Sequence, residues 1–202
     1  MNAGLQDAAN LGWKLAAAVH GWAPDGLLDS YQTERYLIGR AVVRGSGVLL
    51  RLALAQSPAT RAARWVLANV VGRFGSPPAL VSRAISGLGI AYAAPRGAHR
   101  LAGRRAPDVR LATRKAGKTR LYEILRGGNF VLLTPAGVGA AIVRRWTGRV
   151  DPATPADATL PMVLVRPDGY VAWVTNETAP ASRDATLRTA LTCWCGQPTD
   201  GM

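Results

Sequence analysis

Pro167-Asp168-Gly169 stands between two apolar runs, Leu160-Pro161-Met162-Val163-Leu164-Val165 and Tyr170-Val171-Ala172-Trp173-Val174. Proline presets the backbone for a turn, aspartate bonds its own main chain, and glycine accepts the left-handed conformation that closes tight loops. Short runs rich in β-branched and aromatic residues on either side of such a turn predict an antiparallel hairpin. A two-stranded hairpin alone is marginal in water, so this one must find further strands or helices to cover it. The second half of the chain is thereby committed to a sheet.

The partners are near at hand. Phe130-Val131-Leu132-Leu133 is a short apolar run of the kind a buried strand shows. Gly137 to Trp146 can form a helix, and Arg183 to Trp194 predicts a closing amphipathic one. Strand, helix, hairpin, helix is the order of a thioredoxin-like α/β core. Where a redox member would carry Cys-x-x-Cys after its first strand, this chain has Thr134-Pro135-Ala136-Gly137, so no thiol chemistry is expected there.

The first half reads as helical, with no convincing strand before about residue 100. Leu5, Ala8, Gly12, Leu15 and Val19 recur at steps of three and four, one face of an α-helix, while Gln6, Asp7, Asn10 and Lys14 fall largely on the other side. Asn2 suits the N-cap, and Gly21 and Pro24 supply stop signals. A long helical stretch follows from about Leu27 to Ala55, weakened by Gly45 and Gly47. Ser57-Pro58 marks a further start, with the serine as cap and the proline at the first position. Another helix is expected from Pro77-Pro78 toward Gly87 or Gly89. Composition shifts at Ala94-Pro95-Arg96-Gly97, which divides the chain into a helical segment, 1–95, and an α/β domain, 96–202.

The formal net charge is +13 over 202 residues, and nearly all of it is arginine, since the lysines are only Lys14, Lys115 and Lys118. No acidic residue occurs between Arg35 and Pro107. Yet arginines such as Arg40, Arg44 and Arg51 are spread along apolar helices, with no basic block and few interleaved aromatics. Specific nucleic-acid binding is therefore not expected, although loose association with polyanions or anionic membrane surfaces is. The most apolar stretch, Ala41 to Ala55, is interrupted by Arg44 and Arg51 and is too short to span a bilayer. With no secretory signal pattern, a cytoplasmic location follows by default. Cys193 and Cys195 are too close in a helix to pair easily, and two isolated histidines, His20 and His99, make no metal pattern.

Two stretches at the start carry a resemblance. Met1-Asn2-Ala3-Gly4-Leu5-Gln6-Asp7-Ala8-Ala9-Asn10-Leu11-Gly12-Trp13-Lys14-Leu15-Ala16 resembles the flavin-facing helix of the FAD-dependent aromatic-ring hydroxylases, single-component flavoprotein monooxygenases. Leu27-Leu28-Asp29-Ser30-Tyr31-Gln32-Thr33-Glu34-Arg35 is similar to the segment that follows it in that family. A proline usual two residues after that arginine is replaced by Leu37, which predicts a straighter helix. Further on, Gly103-Arg104-Arg105-Ala106-Pro107 and Val165-Arg166-Pro167-Asp168-Gly169-Tyr170-Val171-Ala172-Trp173 resemble the entry and the hairpin of the C-terminal domain in the phenol-hydroxylase-like branch. The resemblance spans essentially the whole chain and is loosest through the middle helices.

It implies FAD as cofactor, NADPH or NADH as co-substrate, oxygen as oxidant and an electron-rich aromatic compound as substrate. It also implies that the backbone amides of Met1 and Asn2 face the flavin edge that becomes negative on reduction, a placement that a helix start favours through its free N–H groups and dipole. No catalytic residue in this chain follows from it. The family's Gly-x-Gly-x-x-Gly turn is not found here, since Gly45-Ser46-Gly47 lacks the third glycine and lies in helical pattern. The expectation is a fragment carrying one wall of a flavin site, inactive alone, with a complementing N-terminal half or a homodimer as partner. The competing readings are a stand-alone interaction or dimerisation module and, with charge as sole support, a basic surface binder.

Overall fold

The computed structural model describes residues 2–54, 56–73, 89–115 and 117–199. The helix expected from Pro77-Pro78 lies outside the described residues. The helical segment contains α1 (Asn2–Val19), α2 (Asp29–Leu54) and α3 (Pro58–Arg73). Gly21, at φ 70°, follows the end of α1 as expected of a helix stop. α2 runs unbroken through Gly45-Ser46-Gly47 and past Leu37, in line with the missing proline. Ser57 caps α3, its hydroxyl accepting from the amide of Thr60 at 3.3 Å.

The second half contains β1 (Arg110–Lys115), β2 (Lys118–Arg120), α4 (Leu121–Leu125), β3 (Phe130–Leu133), α5 (Ala140–Val143), a 3-10 turn (Arg144–Trp146), β4 (Val150–Ala153), β5 (Met162–Val165), β6 (Val171–Thr175) and α6 (Pro180–Cys195). β1 and β2 form a small antiparallel pair, and the main sheet has the order β4-β3-β5-β6. β3 pairs parallel with β4 and antiparallel with β5, and β5 pairs antiparallel with β6. A parallel β-α-β unit joined to a β-β-α unit around β3 is the thioredoxin-like arrangement. The hairpin closes as expected. The Gly169 amide donates to the Arg166 carbonyl at 2.9 Å, with Gly169 at φ 82°.

Both faces of this sheet are covered, which is why β3 and β5 read as unbroken apolar runs instead of alternating ones. Phe130, Leu132 and Leu164 point to one side, among Ile142, Val143, Trp146, Leu187 and Leu191. Val131, Leu133, Val163 and Val165 point to the other, against Leu121, Ile124 and Leu125. The first of these clusters also contains Trp13 and Ala17 of α1. Trp13 meets Phe130 edge-on, with ring centroids 5.3 Å apart.

That contact defines which side of α1 this chain itself covers. The side packed into the chain is Asn10, Trp13, Lys14 and Ala17, whereas Leu5, Leu15 and Val19 of the apolar stripe are exposed. Helical periodicity finds a face but does not say which face is covered. Here the polar residues go inward because buried charges wait for them.

Candidate functional site

The inward side of α1 ends in a buried ionic cluster. Arg166, at the entry to the β5–β6 turn, is 2 % exposed. Its guanidinium donates to both oxygens of Glu34 on α2, at 2.6 and 2.9 Å. Its other edge donates to Asp168, with Nε 3.0 Å from Oδ1 and Nη2 on Oδ2. Only a planar fork of five N–H donors can hold two carboxylates in this way. The Arg166 guanidinium also lies between 5.1 and 5.9 Å from the ring centres of Trp13, Tyr92, Tyr170 and Trp194. These aromatic faces compensate a desolvated cation further.

α1 enters the cluster at two points one turn apart. Lys14 Nζ donates to Glu34 Oε2 at 3.0 Å, and Asn10 Nδ2 donates to Glu34 Oε2 at 2.6 Å and to Asp168 Oδ2 at 3.2 Å. The neighbour of Glu34 holds the beginning of the same helix. Arg35 Nε bonds Asp7, and its Nη2 donates to the Ala3 carbonyl at 3.2 Å. Tyr92 closes the group, its hydroxyl 3.2 Å from Asn10 Nδ2 and 3.5 Å from Arg35 Nη1.

The electrostatics are those of charges exchanged for partners. Burial works against ionisation of Glu34, but hydrogen bonds from Arg166 and Asn10 and the charges of Arg166 and Lys14 outweigh it and hold its carboxyl below the ordinary value. Burial likewise opposes the charge on Arg166, and Asp168 and Glu34 overcome it, so its pKa is pushed up. For Lys14 burial prevails over the attraction of Glu34 and the pKa is lowered. Burial first, and then the nearby Asp168 charge, raises the Tyr92 hydroxyl. Each charged side chain of the cluster is bonded to a partner within it, an arrangement that ties α1, α2 and the hairpin together.

Of the residues expected to face a flavin, Met1 lies outside the described residues and Asn2 is the first residue of α1. The fit to a flavin can be judged from the helix start. The first-turn amides of an α-helix have no partners within it. A Cβ placed on Gly4 would meet nothing within 4 Å, and Leu5 is exposed. The donor chemistry suits an anionic ring edge, but among the described residues nothing encloses a ring there. Cys193 is exposed, Cys195 is buried, and both are free thiols. Burial pushes the Cys195 thiol up. Among the described residues no group of three or more His, Cys, Asp or Glu could hold a metal, and no helix is long and apolar enough to cross a membrane.

The cluster gathers Asn10, Trp13 and Lys14 from one motif, Glu34 and Arg35 from the next, and Arg166, Asp168 and Tyr170 from the hairpin. Comparison with known proteins finds the same segments. Residues 1–46 match the model of an FAD binding domain, and residues 99–198 match that of the C-terminal region of aromatic-ring hydroxylases. The chain belongs to the aromatic-ring hydroxylase family. Its sequence corresponds to the C-terminal portion of these flavoproteins. A rifampicin monooxygenase from Streptomyces venezuelae is 36% identical over all of this chain and 39% of the relative. A dialkyldecalin synthase from Streptomyces rugosporus is 38% identical over 97% of this chain and 37% of the relative. Among solved structures, the anhydrotetracycline hydroxylase OxyS from Streptomyces rimosus superposes with a TM-score of 0.81 at 34% identity, covering 98% of this chain and 41% of that one. The chain thus spans about two fifths of the length of the curated relatives it matches.

The buried cluster itself was not anticipated from sequence. The signal was available in Lys14 and Asn10, polar residues flanking Trp13 on a helix that must pack. What sequence could not supply was the partner 132 positions away from Glu34.

Proposed function

We propose that this hydroxylase-family chain works as the C-terminal portion of a flavin-dependent monooxygenase that hydroxylates an aromatic substrate with NADPH or NADH and oxygen. One observation carries the reading. The stretch matching an FAD binding domain and the stretch matching a hydroxylase C-terminal region share one hydrophobic core through Trp13, Ala17 and Phe130. The reading divides the chain into 1–95, the helical tail of the FAD-binding domain, and 96–202, a thioredoxin-like domain; the matched regions, 1–46 and 99–198, lie on either side of that boundary.

Bound FAD would supply hydride acceptance and oxygen activation. The contribution of this chain is a positioned helix start. The backbone amides of Met1 and Asn2 would stabilise negative charge at the flavin edge, with the exposed side of α1 turned toward the rest of the cofactor domain. This reading assigns no side chain of the chain as acid, base or nucleophile, and it makes activity depend on a complementing FAD-binding portion. A cytoplasmic location, where NAD(P)H is supplied, goes with this reading. A homodimer is the alternative partner, supported by the exposed apolar residues of α1 and α2.

A chimera tests the reading. The corresponding C-terminal two fifths of the rifampicin monooxygenase would be replaced by this chain, and NAD(P)H oxidation followed with and without aromatic compounds. The expected outcome is a flavin-containing protein whose NAD(P)H oxidation is stimulated by an aromatic substrate with formation of a hydroxylated product. A flavin-containing chimera that converts substrate without consuming NAD(P)H would favour instead a non-oxygenating role of the kind named for the dialkyldecalin synthase.

A further inference from the structure

The hairpin and the flavin-facing helix are far apart in sequence yet share charges, and the connection has a direction. Arg166 grips Glu34 with both prongs, and Glu34 in turn takes Lys14 and Asn10 from the middle of α1. The next residue, Arg35, reaches the start of the same helix, at the Ala3 carbonyl and Asp7. Two adjacent side chains on α2 therefore carry one end of the link each. The apolar contacts that also join α1 to the sheet, Trp13 and Ala17 with Phe130 and its neighbours, are non-directional and tolerate sliding. A bidentate guanidinium–carboxylate pair does not slide, because its two N–H···O bonds fix both distance and orientation.

We propose that Arg166 is a positioning residue. Through Glu34 and Arg35 it clamps the first turns of α1 to the β5–β6 hairpin, and so sets where the amides at the start of that helix point. This rests on the reading that those amides face a flavin. It gives the thioredoxin-like domain, which lacks the cysteine pair of a redox member, a mechanical task at the cofactor. Lysine cannot replace Arg166, because a single ammonium cannot hold both oxygens of Glu34 and both of Asp168. Nor does Lys14 substitute, since it meets Glu34 through one oxygen only.

The test is amide hydrogen exchange on the intact chain, without flavin, for Glu34→Gln, Arg166→Lys and the double variant. In each single variant the amides of Gln6 to Asn10 should lose about tenfold or more protection beyond any loss in β3 and β5, which follows global stability. The double variant should be little worse than either single one, since both remove the same link. Unchanged exchange in α1 overturns the clamp. So does a loss of protection in Glu34→Gln that is equal in α1, β3 and β5, which would make the pair a general fold element. Because flavin is absent from the measurement, failure of the clamp leaves the cofactor reading standing, and a chimera that never binds flavin leaves the clamp standing.

Discussion

Arg166 is the residue on which most of the buried polar structure depends, and Lys14, which meets Glu34 through one oxygen only, replaces it in part at most. Arg166→Met would leave the Glu34 and Asp168 carboxylates facing each other without their shared cation. A loss of about 3–5 kcal/mol in a denaturant titration is expected, the usual cost of breaking a buried pair from one side. Acid should act on the same group. The folded-state pKa of Glu34 lies below its ordinary 4.5, so its stabilising contribution is complete above that pH and is lost as the pH falls through the depressed value. The apparent stability of the chain, followed by tryptophan fluorescence between pH 7 and pH 3, should therefore fall below about 4.5 more steeply than that of Glu34→Gln. Gly103 is the other sensitive point. It sits at φ 73°, and a Cβ there would lie 2.3 Å from the Tyr92 carbonyl oxygen. Gly103→Ala must push the Tyr92 backbone away from Gly103, where the Tyr92 amide donates to the Gly103 carbonyl at 2.8 Å, which should lower the thermal midpoint and increase acrylamide quenching of tryptophan fluorescence.

At the scale of elements, α1, α2, α3 and the closing helix were legible in the sequence. Ser57-Pro58 marks α3 because capping is local chemistry, and Pro167-Asp168-Gly169 marks the hairpin because turn geometry is local too. β4 was not legible. Val150-Asp151-Pro152-Ala153 carries a proline in its interior, which argues against a strand until it is found at the sheet edge, where proline is tolerated. The β1–β2 pair was equally silent, since Arg110-Leu111-Ala112-Thr113-Arg114-Lys115 offers charge at both ends and little apolar alternation. The candidate site was half legible. Three motif stretches were recognisable one by one, but their meeting at Arg166 depends on long-range packing that no local pattern encodes. The buried side of α1 yields a direct prediction. Trp13→Ala removes the ring that meets Phe130 and one wall around Arg166, and should cost about 3–5 kcal/mol in stability. Leu15→Ala on the exposed side should change the stability of this chain by less than about 1 kcal/mol.

At the scale of the whole molecule two surfaces face outward with nothing from the described residues over them. Leu5, Leu15 and Val19 of α1 form one, and Leu37, Val43 and Leu54 of α2 contribute to the other. Apolar surface of this kind drives association, and α2 and α3 carry arginine without a single acidic residue after Glu34. The charge should give retention on nucleic acid or anionic vesicles in dilute buffer that is lost by about 0.15 M salt, where exposed charges are screened. Retention beyond that would speak for a dedicated binding surface. The central claim is that this chain forms one wall of a flavin site and that the other walls come from an FAD-binding portion. The most direct measurement is the flavin absorbance of the purified chain, alone and after co-expression with the FAD-binding portion of a relative. The account predicts a colourless chain alone and a stoichiometric flavin band in the co-purified complex. A flavin band in the chain alone, or a well-folded complex that stays colourless, would contradict it.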